Sequence, residues 1–285
     1  MTTLVAKEHR VYTDTRSLKA YLLNNIKKNG GWVNAHMHGD RAFTIDYAGF
    51  EVYQTQTLIE KWDTLDRIKA NMTEEDYYRQ FSMGIERMIE QGVTAVGSFI
   101  DVDPIAEERA INAALRARKN YEGDITIKLI NQTLKGVIDK EARYWFDKGA
   151  EKVDIIGGLP RRDLRDHGEG MDAVHMDVLM QTAKSQGKMV HVHVDQFNSK
   201  DEKETELVAD KTIEHGMEGR VVAIHSISIT AHDEAYRQML YEKMLKAQMM
   251  VIACPFAWID SPRREEQGPT RNAITPADEL AKAGI

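Results

Sequence analysis

Short apolar runs recur along the chain, and each is followed by a longer segment with apolar residues at helical spacing. Val, Ile and Ala dominate the short runs, which is typical of parallel strands buried on both faces. Seven strands are predicted, at residues 31–38, 94–100, 125–131, 153–158, 189–194, 221–225 and 249–254. Helices are predicted at residues 14–28, 74–91, 104–119, 140–148, 175–186, 205–215, 233–247 and 275–283, the last with Thr275 as N-cap and Pro276 as its first residue.

The alternation of strands and helices favours a parallel sheet with right-handed crossovers. The predicted fold class is α/β, a (β/α)8 barrel of the TIM type, because no G-x-G-x-x-G motif follows the first strand as in a dinucleotide-binding sheet. Seven strands are one too few to close such a barrel, so the eighth strand is absent from the sequence or comes from elsewhere. We expect one barrel domain over residues 1–285, incomplete at its C-terminal end, with little or no β-sandwich subdomain.

Composition narrows the functional classes. The 285 residues carry 38 Lys and Arg against 45 Asp and Glu, a formal charge of -7, so sequence-independent binding of nucleic acid is not expected. The only cysteine, Cys254, leaves no disulfide and no cysteine-based zinc site within one chain. No apolar run of about 18 residues and no signal-peptide pattern occurs, so we expect no membrane span and a cytoplasmic location.

Histidines stand near the carboxyl ends of three predicted strands. His36 and His38 close the first, His191 and His193 alternate with valines in the fifth, and His225 ends the sixth. Alternate residues of a strand point to the same face, and barrel enzymes place their sites at the carboxyl ends of the strands. Three imidazole nitrogens with a carboxylate or water fit a catalytic site for a metal such as Zn or Fe. The remaining histidines are interpreted as surface residues: His9, His167, His175, His215 and His232.

These motifs resemble those of the amidohydrolase superfamily, in particular the cytosine deaminase branch that includes N-isopropylammelide hydrolase. The resemblance runs through nearly the whole chain and rests on His-Met-His-Gly-Asp-Arg-Ala-Phe-Thr (36–44), Phe-Ile-Asp-Val-Asp (99–103), Asn-Gln (131–132) and Ala-Ile-His-Ser (223–226). It implies that His36, His38 and His193 bind one divalent metal ion, Zn, Fe or Mn, and that His225 contacts the attacking water. It also implies a small heterocyclic substrate and a homo-oligomer.

The resemblance extends to two polar residues at the strand ends. Gln132 matches a glutamine that holds a carbonyl of the ring substrate. Arg41 stands where relatives place a basic residue that reaches the site, although a salt-bridged loop residue is an equal interpretation. Strand four ends in Gly157 and Gly158 and lacks the lysine that the two-metal members use there, so a single ion is expected.

Two positions depart from the family pattern. Gln196 stands where relatives that deaminate cytosine have a glutamate that moves protons, and an amide does not take up a proton near neutral pH. The fourth ligand of the family, an aspartate after strand eight, has no counterpart, and Asp195 is interpreted as support for a ligand. The aromatic residues Tyr47, Tyr53 and Trp62 either line a ring-stacking pocket or pack in the core. The loop 258–272 is expected on the face of the site.

The sequence therefore predicts a metal-dependent hydrolase that deaminates a nitrogen heterocycle such as a cytosine-like ring, a pterin, a purine or a triazine. One alternative is hydrolysis of a cyclic amide, which the same metal site would serve. Another is a truncated barrel that binds a ligand without turnover. Released ammonia, a ring-opened acid and the absence of both distinguish the three.

Overall fold

The computed structural model describes residues 15–49, 58–132, 134–255 and 274–285. Seven parallel strands form one sheet, and their order in the sheet is their order in the chain. They are β1 (Trp32–His38), β2 (Val93–Asp101), β3 (Thr126–Gln132), β4 (Ile155–Gly158), β5 (Met189–Val194), β6 (Val221–His225) and β7 (Met250–Ile252). Every predicted strand is present, with bounds within two residues of those predicted.

Helices precede and separate the strands. In the described part of the chain they are α1 (Thr15–Lys28), α2 (Ile45–Ala48), α3 (Leu58–Asn71), α4 (Glu74–Glu90), α5 (Arg109–Asn120), α6 (Lys140–Lys152), α7 (Pro160–His167), α8 (Met171–Gln186), α9 (Glu204–Glu214), α10 (Glu234–Lys246) and α11 (Ala277–Ala283). Short 3-10 turns follow β1 and β6. No described helix is long and apolar enough to cross a lipid bilayer.

The sheet curls into a nearly closed barrel, so that side chains from β1, β5, β6 and β7 line one cavity. The predicted TIM-type barrel with a missing eighth strand is confirmed among the described residues. Strands β1 and β7 remain edges, and they leave apolar side chains exposed: Trp32 is 58% exposed, Val33 68% and Met250 43%. The barrel interior is filled by Phe99, Ile130, Val222 and Ile224, and a larger apolar layer lies between the strands and the helices.

Three helices in the described part of the chain were not predicted from the sequence: the four-residue α2, α3 and α7. Helix α3 buries Trp62, Leu65 and Ile68 at helical spacing, but it also buries Lys69, which obscures the apolar stripe. Helix α7 begins at Pro160, a favourable first residue, yet it buries Arg162 and Asp163 rather than apolar side chains. Periodicity of hydrophobic residues cannot identify a helix whose buried face is polar.

Three predicted helix starts are wrong. Helix α8 begins at Met171 and not at 175. The other two helices begin later than predicted because side chains form other bonds. Helix α5 begins at Arg109 and not at 104, since Asp103 Oδ1 accepts from the amides of Ile105 and Ala106 and holds a turn there. Helix α11 begins at Ala277, because the Thr275 hydroxyl donates to the carbonyl of His225 instead of capping the helix. Helix α1 lies at the amino-terminal end of the barrel, where Ile26 and Leu23 approach Gly92.

The interpretation of His175 as a surface residue is wrong. Its side chain, on α8, is completely buried, because it bonds to the carboxylate of Asp163 on α7 and to the backbone of Leu159. His167 is exposed, His215 and His232 are partly buried, and His9 lies outside the described residues.

Candidate active site

Four imidazoles from three strands meet at the carboxyl end of the barrel. The ring centroids of His36 and His193 are 4.9 Å apart, and those of His193 and His225 are 5.4 Å apart. The Nε2 atoms of His38 and His193 lie 3.1 Å apart. One nitrogen each of His36, His193 and His225 lies within 4.8 Å of the other two. The structure thus brings together all four histidines that the sequence singled out as metal ligands or as the contact of the attacking water.

The backbone directs these rings inward. His36 and His38 alternate along β1, and an irregularity between Asn34 and Met37 shifts the pairing of that strand with β2. His225 ends β6 with φ of 76°, and Ser226 follows with φ of 49°. Left-handed backbone at non-glycine residues costs free energy and is common at functional sites.

Burial keeps the imidazoles uncharged. It lowers the pKa of His36 to about 3, helped by His225 and His191, and it lowers the pKa of His225 to about 4. Burial also holds the pKa values of His38 and His193 well below their usual range. Neutral imidazole is the form of histidine that binds a metal.

The hydrogen bonds of the imidazoles fit a bound cation. The Nδ1 atoms of His36, His38 and His225 are buried and have no hydrogen-bond partner among the described residues. His193 differs, because its Nδ1 lies 3.3 Å from the carbonyl oxygen of Gly158 and can only donate to it. Neutral nitrogen ligands in close proximity, with few competing protein partners, suit a divalent ion such as Zn or Fe.

A cavity of about 660 Å³ opens above the imidazoles, within the range of small-molecule sites. The predicted residues Arg41, Gln132 and Gln196 line it. Gln132 is buried, and its Oε1 atom has no hydrogen-bond partner among the described residues. Each of these side chains is therefore placed to contact a ligand in the cavity.

The opposite wall of the cavity is apolar and consists of Trp62, Leu65, Leu134 and Leu159. Two guanidinium groups of α7 stand over the Trp62 ring, at 5.8 Å for Arg162 and 5.4 Å for Arg165. Cation–π contact of this kind holds the indole in place. Of the other aromatic residues considered, Tyr47 is exposed and Tyr53 lies outside the described residues.

Arg41 belongs to a buried network of charges that the sequence reasoning missed. Its guanidinium pairs with Asp101 at the end of β2, and Lys69 on α3 pairs with both Asp101 and Asp103. Asp40 accepts a hydrogen bond from the amide of Asp101. Both interpretations of Arg41 hold, because it is salt-bridged and also faces the cavity. Asp101 and Asp103 in the 99–103 motif could have indicated this network, because charged residues rarely end a buried strand without a partner.

Asp195 does not support an imidazole as expected. Its φ of 53° turns it away from the alternation of β5, and its carboxylate accepts from the amides of Glu204 and Thr205 at the start of α9. Arg161 pairs with Glu202 and Glu204 beside it. Two glutamates thus share one guanidinium, and burial, opposed by Arg161, raises the pKa of Glu204 to about 8.

The two glycines that end β4 leave no room for a side chain. A Cβ at Gly157 would collide with the backbone oxygen of Asn131, and a Cβ at Gly158 would lie 2.8 Å from His175 Nε2. A lysine ligand from this strand is therefore excluded sterically. The single-ion expectation stays a prediction, and this packing supports it.

Comparison with known proteins supports the resemblance inferred from the sequence motifs. No established family profile matches the chain. It is 59% identical over 265 residues to an uncharacterized protein of Haemophilus influenzae, covering 93% of this chain and 95% of that protein. It is 24% identical to the N-isopropylammelide isopropyl amidohydrolase of a Pseudomonas species, covering 69% of this chain and 49% of that enzyme. A crystal structure of 5-methylcytosine deaminase from Klebsiella pneumoniae with 5-fluorocytosine superposes with a TM-score of 0.82 at 24% identity.

The chain resembles members of the amidohydrolase superfamily in sequence and in fold. The resemblance inferred from the sequence motifs is thereby confirmed. The superposition on the Klebsiella deaminase covers 90% of this chain and 61% of that protein. The chain spans about half the length of the Pseudomonas enzyme.

Proposed function

We propose that this protein is a metal-dependent hydrolase that deaminates a nitrogen heterocycle. The observation that carries the proposal is the convergence of His36, His38, His193 and His225, all neutral, beneath a cavity lined by Gln132 and Arg41. Relatives named for C–N bond hydrolysis of ammelide and methylcytosine support the reaction class.

The donor set fits one divalent ion, and His36, His38 and His193 would hold it, with His225 beside them. When bound, the ion would supply Lewis-acid chemistry that acidifies a water molecule and polarises the ring. The neutral His225 offers an unpartnered nitrogen that can accept a hydrogen bond from the attacking water. Gln196 can orient a ligand but cannot act as a general base, because its amide takes up no proton near neutral pH.

The cavity fits a planar ring. Gln132 can donate to a ring carbonyl or accept from a ring N–H, and Arg41 can donate to an oxygen of the ring. The wall of Trp62, Leu65, Leu134 and Leu159 would cover the apolar face of the ring or a substituent on it. The proposed substrates are therefore oxo-substituted rings with an exocyclic nitrogen, of the cytosine, pterin, purine or triazine class.

The test combines metal content with release of ammonia. The chain is loaded with Zn, Fe or Mn, desalted and analysed for metal beside H193A and H232A, since His232 bonds to the carbonyl of Glu202 and does not line the cavity. We expect about one equivalent in the wild type and in H232A and a loss of metal in H193A. Equal metal in all three chains, or none in any, would refute the proposal.

The loaded chain is then screened for ammonia or amine release from each ring class. A ring-opened acid without ammonia would favour cyclic amide hydrolysis at the same site. Metal binding and ligand binding without any product would favour the non-catalytic barrel, which the open edges of β1 and β7 make a specific alternative.

A further inference from the structure

Behind β4, one buried histidine has no part in the cavity described above. The Nδ1 of His175 lies 2.6 Å from Asp163 Oδ2, an oxygen that also accepts from the amide of Val137 at 2.9 Å. A carboxylate can only accept, so Nδ1 of His175 carries the proton. Its Nε2 is then a lone pair, and it accepts from the amide of Leu159 at 3.1 Å.

The amide of Leu159 and the carbonyl of Gly158 belong to the same peptide group, which is planar. The carbonyl side of that group accepts from Nδ1 of His193 at 3.3 Å. One peptide plane is therefore held between two imidazoles, with His175 behind the strand and His193 inside the barrel. Rotation of the plane away from either ring would break both hydrogen bonds.

These hydrogen bonds determine which ring nitrogen of His193 carries the proton. With its proton held on Nδ1 by the carbonyl of Gly158, His193 presents the lone pair of Nε2 towards His38 Nε2. The other tautomer would place an N–H there and would leave the carbonyl without this donor. Which nitrogen of a ligating histidine binds a metal is set by the bond that the other nitrogen makes.

Gly158 is needed at the centre of this arrangement. A Cβ there would lie 2.2 Å from Leu179 Cδ1 and 2.8 Å from His175 Nε2, closer than van der Waals contact allows. A side chain would therefore displace both Leu179 and the histidine that holds the peptide. The absence of a side chain at the end of β4 and the burial of His175 thus have one common explanation.

We infer that Asp163 and His175 are positioning residues that hold the Gly158–Leu159 peptide and, through it, fix the tautomer and orientation of His193. The inference rests on the proposed function only in taking His193 as a metal ligand. Outer partners of ligating histidines typically change metal affinity by about 10–100-fold when they are removed.

The first test needs no metal. Long-range 1H–15N spectra of the metal-free chain, labelled with 15N-histidine, report the tautomer of each ring, with His175 and His193 assigned from the signals lost in H175Q and H193A. We expect both rings in the Nδ1–H form. Either ring in the Nε2–H form overturns the inference.

The second test separates positioning from simple packing. In H175L we expect the His193 signals to average between tautomers and the zinc dissociation constant to rise about 10–100-fold. H175Q keeps an acceptor for the amide of Leu159 and is expected to restore both properties. H232L, which removes a histidine that bonds to the carbonyl of Glu202 and does not line the cavity, should leave both unchanged.

A single His193 tautomer and an unchanged zinc affinity in H175L, with only a lower free energy of unfolding, would show a purely structural role and overturn the inference. If H175L does not fold, the wild-type spectra and H175Q still show whether His175 fixes the tautomer of His193. A wild type that binds no zinc would refute the proposed function, whereas the metal-free spectra would continue to test the positioning of His193.

Discussion

The substitution K69M tests the buried charge network beneath Arg41. The Lys69 side chain is 2% exposed, and it pairs with Asp101 and Asp103, which are fully buried. Burial lowers the pKa of Lys69, but Asp101, Asp103 and Asp66 raise it more, so the amine is charged. Methionine keeps most of the length and apolar contact of the lysine stem and removes only the charge.

Without the ammonium, Asp103 retains only the two backbone amides of its turn, and Asp101 retains Arg41. Removing one partner of a buried ion pair costs about 3–5 kcal/mol, which is a large part of the roughly 5–15 kcal/mol that stabilises a typical domain. We expect a decrease of this size in the free energy of unfolding, which is on the order of a thousandfold in the folding equilibrium.

Urea unfolding of the metal-free chain at neutral pH measures the change. The matched control is R87M, because the Arg87–Glu90 pair is 70% and 59% exposed and should contribute less than about 0.5 kcal/mol. The double variant K69M/D103N should recover part of the loss, since it removes one unpaired charge. A K69M chain within about 1 kcal/mol of the wild type would show that the network is hydrated, and the reasoning would be refuted.

Three further substitutions test other features of the fold. Folded Glu204 keeps its proton up to about pH 8, whereas an unfolded glutamate loses it near 4.5. Wild-type stability should therefore fall by about 1.4 kcal/mol per pH unit across that window, and E204Q should flatten the slope in urea unfolding. G158A should cost about 1–3 kcal/mol in thermal unfolding, because its Cβ would displace Leu179 and His175. T73A should cost about 1 kcal/mol in the same assay, since Thr73 and Asp76 form the capping box of α4.

Each of these has a control. The slope of the free energy of unfolding against pH is compared between E204Q and E214Q, which lies on the exposed end of α9. Equal slopes would contradict the assignment of the proton to Glu204. G84A, in the interior of α4 with its nearest contact at 3.9 Å, should stabilise the chain by about 0.5–1 kcal/mol; a loss equal to that of G158A would contradict the steric argument. S185A on α8 should change the free energy of unfolding by less than about 0.5 kcal/mol. A loss in T73A no larger than that of S185A would contradict the capping argument.

The strands and the four imidazoles could be predicted from the sequence because both depend on local patterns. A strand buried on both faces is a continuous run of Val, Ile and Ala, and His36 and His38 project to one side because side chains alternate along the strand. The barrel follows from the number of strand–helix repeats, and the common edge of parallel strands brings the histidines together. His38, His193 and His225 needed no distant contact to be recognised as candidates.

Only the tertiary structure determined which polar residues are buried and which residues they pair with. No pattern in the sequence marks Lys69 as buried, and His175 was interpreted as a surface histidine, because hydrophobic periodicity carries no information about partners distant in sequence. Asp101 lies 32 residues from Lys69 along the chain, and Asp163 lies 12 residues from His175. The cost of burying such groups is offset only by bonds formed when the strands and helices pack, so their roles are properties of the folded chain.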